Sequence, residues 1–262
     1  MKPDHERPIV LAAGVRSPMA RAGGRFRAED AGHLGAQVAR ELFSRTGLLP
    51  EQIDQVIVGC AGPPHDQANI GRVIGLRAGV PERVPGFTVA RNCASGMEAV
   101  TNAATCIRAG EAEVVLAMGV EVMSAFPLMF GKKMTNLFAK LNSARTLPKR
   151  LKAISAFRPS FLAPRVAIME GLTDPVSGLI MGKTAELLAR DFDVTREEAD
   201  QYAAESHARA KRARDAGRFV PELEAHLPLG ARPGDTALDH DDSIRDDQTV
   251  EKLAKLRPYF EK

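Results

Sequence analysis

The sequence predicts an α/β protein in which a mixed, mainly parallel sheet is covered by helices in layers and followed by a mostly helical region. Three observations carry this. Short apolar runs alternate with segments of helical period through residues 8–124, the pattern of successive βαβ units. Runs such as Val114-Val115-Leu116-Ala117-Met118 are continuously apolar rather than alternating, which suits strands covered on both faces. Beyond residue 125 the composition changes abruptly.

Taken in order, residues 9–13 form a short apolar run. Residues 30–47 read as a helix, because Leu34, Val38 and Leu42 recur at four-residue spacing and Gly47 stops the pattern. A strand over 53–60, a short helix over 70–78, a strand over 84–90, a helix over 94–109 and a strand over 114–118 follow. Ligands of such sheets bind at the carboxyl ends of the strands. Cys93 and the turn over 119–124 both fall there.

Residues 126–169 contain no Asp or Glu but nine basic residues, Lys132, Lys133, Lys140, Arg145, Lys149, Arg150, Lys152, Arg158 and Arg165. Phe130, Met134, Leu137, Phe138 and Leu141 stand at helical spacings among them, as do Leu147, Leu151 and Ile154. A basic amphipathic helix suits a membrane surface, an anionic ligand or a partner protein; a solvated helix packed on its own domain is the other reading. Residues 182–192 and 196–216 read as two further helices, the second opened by a capping box of Thr195 and Glu198. Its charged face is expected to be solvated. Residues 230–247 are rich in Gly, Pro and Asp and read as a loop or irregular hairpin, and a short helical pattern returns over 249–259.

Composition narrows the function classes. The 262 residues carry 36 basic and 33 acidic side chains and are 44% hydrophobic, ordinary for a globular protein. Three cysteines, Cys60, Cys93 and Cys106, make no disulfide framework and suggest a reducing compartment. The polar start, Met1 to Arg7, has no apolar signal region, and no run approaches the roughly 20 residues that span a bilayer. A cytoplasmic protein is expected. The basic block is amphipathic, and with no Trp and two Tyr base-stacking aromatics are sparse, so nucleic acid is not an expected partner. No metal site is expected.

The stretch Arg91-Asn92-Cys93-Ala94-Ser95-Gly96-Met97-Glu98-Ala99 puts one cysteine between a strand and a helix. Unpaired N–H groups and the positive end of the dipole favour a thiolate at a helix start, which draws the thiol below its usual pKa of about 8.5. Small neighbours leave room for a substrate carbonyl. Location alone leaves two readings open: a nucleophile, or a small buried hydrophobe.

This stretch resembles the nucleophile motif of the thiolases (acetyl-CoA C-acyltransferases). Gly14-Val15-Arg16-Ser17-Pro18 through Gly24 is similar to the family's N-terminal strand and turn, and Gly119-Val120-Glu121-Val122-Met123-Ser124 with Pro127 to its second signature. Gly171 to Pro175 with Met181 to Glu186, Glu197 to His207, and Leu253 to Pro258 resemble parts of its loop domain. The resemblance covers nearly the whole chain. The acid-free block, with Ser143-Ala144-Arg145, Phe157-Arg158-Pro159 and Phe161 to Pro164, is similar to the insertion in the β-subunit of trifunctional fatty-acid-oxidation complexes. That subgroup works with an α-subunit carrying hydratase and dehydrogenase activities and is linked to membrane association.

The resemblance implies the first half of a thiolase-like fold with an inserted loop domain: residues 1–125 as the N-terminal domain lacking its last strands, 126–250 as the insertion (basic block 126–169, coenzyme A-side helices 182–220), and 251–262 as a return segment. It implies thiolytic cleavage of 3-ketoacyl-CoA in fatty-acid β-oxidation, or the reverse condensation. Cys93 is then the nucleophile and its backbone N–H an oxyanion donor. Coenzyme A is a substrate, with no permanently bound cofactor. Arg245 matches a residue near the adenine and Met181 one lining the pantetheine tunnel, although Ile180 stands where the family often has histidine. The second half, with its activating Gly-His-Pro histidine and Cys-x-Gly cysteine, has no counterpart here. Of the six histidines, His5, His33, His65, His207, His226 and His240, none sits in a context suggesting that base; His226 and His240 read as part of a late polar region. A separate C-terminal-half polypeptide and a homo-oligomer are the expected partners, and little turnover is expected of the chain alone. An inactive CoA-binding or docking module and a condensing enzyme of the same superfamily remain the alternatives.

Overall fold

The computed structural model describes residues 8–260; the polar start with His5, and the last two residues, lie outside the described residues. The chain forms two compact units. One comprises residues up to Ala125 together with Tyr202–Thr249, the other Phe126–Gln201 together with the segment from Val250. This grouping cuts across the expected insertion over 126–250. Residues 222–242 are tied to the first unit by Arg16, whose guanidinium is 2.8 Å from Glu222 and 2.8 Å from Asp241.

In the first unit, α1 (Ala31–Thr46) is capped by the Asp30 carboxylate, which accepts from the His33 N–H, and ends at Gly47. It is followed by β1 (Gln55–Gly59), α2 (Ile70–Ala78), β2 (Gly86–Val89), α3 (Ser95–Ala109) and β3 (Val115–Gly119). The three strands make a parallel sheet in the order β2-β1-β3, with Ile57 of the central strand opposite Phe87 and Ala117. Strand alternation divides the core. Val56 and Val58 pack with Leu34, Ala39, Phe43, Ile70 and Ile74 of α1 and α2, and Ile57 with Ala99 and Ala103 of α3. Full burial of such a side chain is worth about 1.5–3 kcal/mol.

The apolar run over 9–13 forms no strand: Val10 and Leu11 are 77% and 84% exposed. The family-like N-terminal strand reduces to one parallel bridge, Arg16 to Leu223. The Arg16 backbone donates to the Glu222 carbonyl and accepts from the Glu224 N–H, so its pairing capacity is spent on that segment rather than on the sheet.

In the second unit, β4 (Leu128–Phe130) and β5 (Pro164–Val166) form an antiparallel pair that brackets α4 (Lys132–Ser143) and α5 (Leu147–Ser155). No local pattern announces this pair, because three-residue strands carry too few positions to show a period. α6 (Ala167–Gly171) and α7 (Met181–Asp191) follow; of α8 (Arg196–Asp215), residues 196–201 belong to this unit and the rest to the first, and α9 (Val250–Leu253) is shorter than the pattern over 249–259 suggests. The Thr195 capping box is present: its N–H donates to Glu198 Oε2 at 2.8 Å, and its Oγ1 accepts from the Glu198 N–H at 3.2 Å. Among the described residues, no helix is long and apolar enough to cross a membrane.

Candidate active site at the carboxyl end of the sheet

Three strand ends converge beneath the start of α3. Gly59, the last residue of β1, pairs with Val89 on one side and Gly119 on the other. The first turn of α3 lies directly on it. A Cβ at Gly59 would collide with the Ser95 carbonyl, and one at Gly119 would come within 3.0 Å of the Gly96 Cα. Only glycine permits so close an approach of backbone to backbone.

Between β2 and α3 the chain turns sharply. Asn92 adopts a left-handed conformation, φ 47°, which asparagine tolerates better than most residues. The Ala94 and Ser95 N–H groups donate to the Arg91 and Asn92 carbonyls at 3.0 and 3.1 Å. Buried Ser95 braces the turn a second time: its Oγ accepts from the Arg91 N–H at 2.8 Å and donates to the Asn92 carbonyl at 2.7 Å. Arg91 pairs with Glu98 at 2.7 Å, and Asn102 donates to the other Glu98 oxygen at 2.9 Å. Cys93 rides at the crest of this turn, exposed, immediately before the Ala94 N-cap, which supplies no capping side chain. In this chain Cys93 is thus not packed as a small buried hydrophobe.

The other thiols differ. Cys60 is buried, and burial, with the charge of Glu121 beside it, pushes its thiol up to about 11. The Glu121 carboxylate also accepts from the Ala61 N–H at 2.9 Å, which joins the turn over 119–124 to the end of β1. Burial and Glu111 raise the half-buried Cys106 as well.

Arg245 lies exposed in the first unit, its N–H donating to His207 Nδ1 at 3.2 Å. Met181, 47% exposed, opens α7 in the second unit. Among the described residues no hydrogen bond joins Cys93 to a histidine. His33 approaches Gln37 at 3.4 Å, His240 contacts Asp239 at 2.7 Å, and His65 lies exposed. His226 does not belong to a polar surface. It is 2% exposed, 2.9 Å from the fully buried carboxylate of Glu29, and edge-on to Phe26. The pair is 197 residues apart in sequence, so no local spacing could reveal it. Among the described residues no cluster of three or more His, Cys, Asp or Glu could hold a metal ion.

Residues 9–262 match the family described as Thiolase, N-terminal domain. The chain is 34% identical over 255 residues to a 3-ketoacyl-CoA thiolase of Pectobacterium carotovorum, covering 97% of this chain and 57% of that protein. A probable acetyl-CoA acyltransferase of Staphylococcus epidermidis is 36% identical over 260 residues, with 97% and 60% covered. The crystal structure of the Bacillus anthracis acetyl-CoA acetyltransferase superposes with a TM-score of 0.82 at 34% identity, over 97% of this chain and 59% of that one. That of human mitochondrial 3-ketoacyl-CoA thiolase in complex with CoA gives 0.79 at 30%, over 95% and 57%. The chain thus spans somewhat more than half the length of these relatives. On its fold, its converging strand ends and this match along nearly its whole length, the chain belongs to the thiolase family.

Proposed function

We propose that this chain carries the nucleophile of a thiolytic acyltransferase acting on 3-ketoacyl-CoA. The observation that carries the reading is the exposed Cys93 at the carboxyl end of β2, held just before the first turn of α3. The Cys93 thiolate attacks the 3-keto carbonyl. The bond between C2 and C3 then breaks, the acyl group stays on sulfur as a thioester, and acetyl-CoA leaves as an enolate that takes up a proton. The thiolate of a second coenzyme A attacks the thioester and releases the shortened acyl-CoA. The cycle runs backwards as a condensation.

Such a cycle needs a base for the thiol, an acid for the enolate and two oxyanion donors. The Cys93 backbone N–H serves as one donor. With the described histidines engaged or placed elsewhere, the remaining groups come from the C-terminal half of a thiolase. Loss of one oxyanion donor alone costs about 2.7–4 kcal/mol, so turnover depends on that half. Arg245 and Met181 bind coenzyme A, at its adenine and pantetheine respectively. The basic block over 126–169, with Leu147, Leu151 and Ile154 more than half exposed, docks the cytoplasmic enzyme on an anionic membrane surface or on a hydratase/dehydrogenase α-subunit, as in fatty-acid β-oxidation.

The test is a thiolysis assay on 3-ketoacyl-CoA with the chain alone and mixed with a C-terminal thiolase half. Activity only in the mixture supports the reading. Robust activity of the chain alone refutes its dependence on the other half.

A further inference from the structure

We propose that Ser95 is a positioning residue for Cys93. This rests on the reading of Cys93 as the nucleophile. Three observations point to it. The turn that carries Cys93 is bent through Asn92 at φ 47°. The Ser95 hydroxyl is buried and spans that bend, accepting from the Arg91 N–H at 2.8 Å and donating to the Asn92 carbonyl at 2.7 Å. And the Ser95 carbonyl is seated against Gly59 with no room for even a Cβ between them, so Ser95 cannot move toward the sheet.

The sheet therefore backs Ser95, and Ser95 braces the turn. Cys93 is exposed and lies just outside the helix, between the braced residues Asn92 and Ser95. The favourable field of a helix N-terminus fades within about one turn. A cysteine released from the brace loses part of that field and its fixed aim at a substrate carbonyl. The Arg91–Glu98 pair at 2.7 Å spans the same segment, but the Arg91 side chain is 68% exposed there and holds the turn less firmly than a buried hydroxyl does.

The experiment follows iodoacetamide alkylation of each cysteine in the full chain by peptide mass spectrometry, with Cys106 as the internal reference. Ser95→Ala removes one oxygen and leaves the packing in place. It is expected to slow Cys93 on the order of tenfold without slowing Cys106. In an Asn92→Gly background the left-handed conformation needs no brace, so the same Ser95→Ala change is expected to cost less than about twofold. An unchanged Cys93 rate in Ser95→Ala, or an equal loss in both backgrounds, overturns the proposal. General loosening of the fold would instead speed Cys60 and Cys106. Hydrogen exchange in the unmutated chain gives a second reading that needs no variant: the Arg91 amide is expected to be protected, and exchange as fast as in a free peptide refutes the brace. If Cys93 of the unmutated chain labels no faster than Cys106 while the Arg91 amide is protected, it is the nucleophile reading that fails and not the brace.

Discussion

The Glu29 carboxylate and the His226 imidazole meet at 2.9 Å with 0% and 2% of their side chains exposed. The same carboxylate accepts from the Leu229 N–H at 3.1 Å, so Glu29 pins the segment around residue 226 onto the body of the first unit. Removing one partner of a buried pair leaves the other without compensation. Glu29→Ala leaves the buried His226 ring nitrogen without its hydrogen-bond partner and is expected to lower the unfolding free energy by about 1–3 kcal/mol, measured by urea denaturation. A loss below about 1 kcal/mol would show that the pair carries little of the stability.

Gly59 supplies a second prediction. Its alanine variant places a methyl group against the Ser95 carbonyl and must push the start of α3 off the sheet. A stability loss of about 1–3 kcal/mol, with slower alkylation of Cys93, is expected. Unchanged melting and labelling would mean that α3 is free to move at its N-terminus.

Much of this geometry is legible in the sequence, for reasons that differ by element. α1 shows itself through Asp30, Gly47 and the spacing of Leu34, Val38 and Leu42, because caps and periods are local. β1, β2 and β3 stand out as apolar runs for the same reason. The run over 9–13 has equal apolarity but no strand partner among the described residues, and apolarity alone does not supply one. Cys93 is placed at its turn by the flanking patterns. The brace at Ser95 and the Glu29–His226 pair depend on which side chains the tertiary fold brings together, and no local pattern encodes either.

Thiol titration gives a pH prediction. Cys60 has its pKa raised by burial and by Glu121, to about 11. Folding therefore favours the neutral thiol. Its contribution is complete below about pH 9 and is lost as pH rises toward 11. Denaturation of the parent chain and of Cys60→Ala across pH 8–11 is expected to show a steeper loss for the parent. Parallel profiles would contradict the assignment.

The basic block is tested by flotation with vesicles containing anionic lipid. Charge reversal at Lys149, Arg150 and Lys152 is expected to abolish co-flotation, and raised salt to weaken it. Equal flotation of parent and variant would remove the surface role from α5.

Coenzyme A binding is tested in the complemented enzyme. Arg245→Ala is expected to raise KM for coenzyme A about tenfold with little change in kcat, the mark of a group that binds ground and transition states alike. A fall in kcat alone would place Arg245 elsewhere in the mechanism.

The most direct measurement is the site of acylation. The chain, complemented by a C-terminal thiolase half, is mixed with 3-ketoacyl-CoA, quenched in acid and digested, and the acyl adduct is located by mass spectrometry. The account predicts the adduct on Cys93 alone, absent from Cys93→Ala. Turnover with the acyl group on Cys60 or Cys106, or turnover that survives in Cys93→Ala, would contradict it.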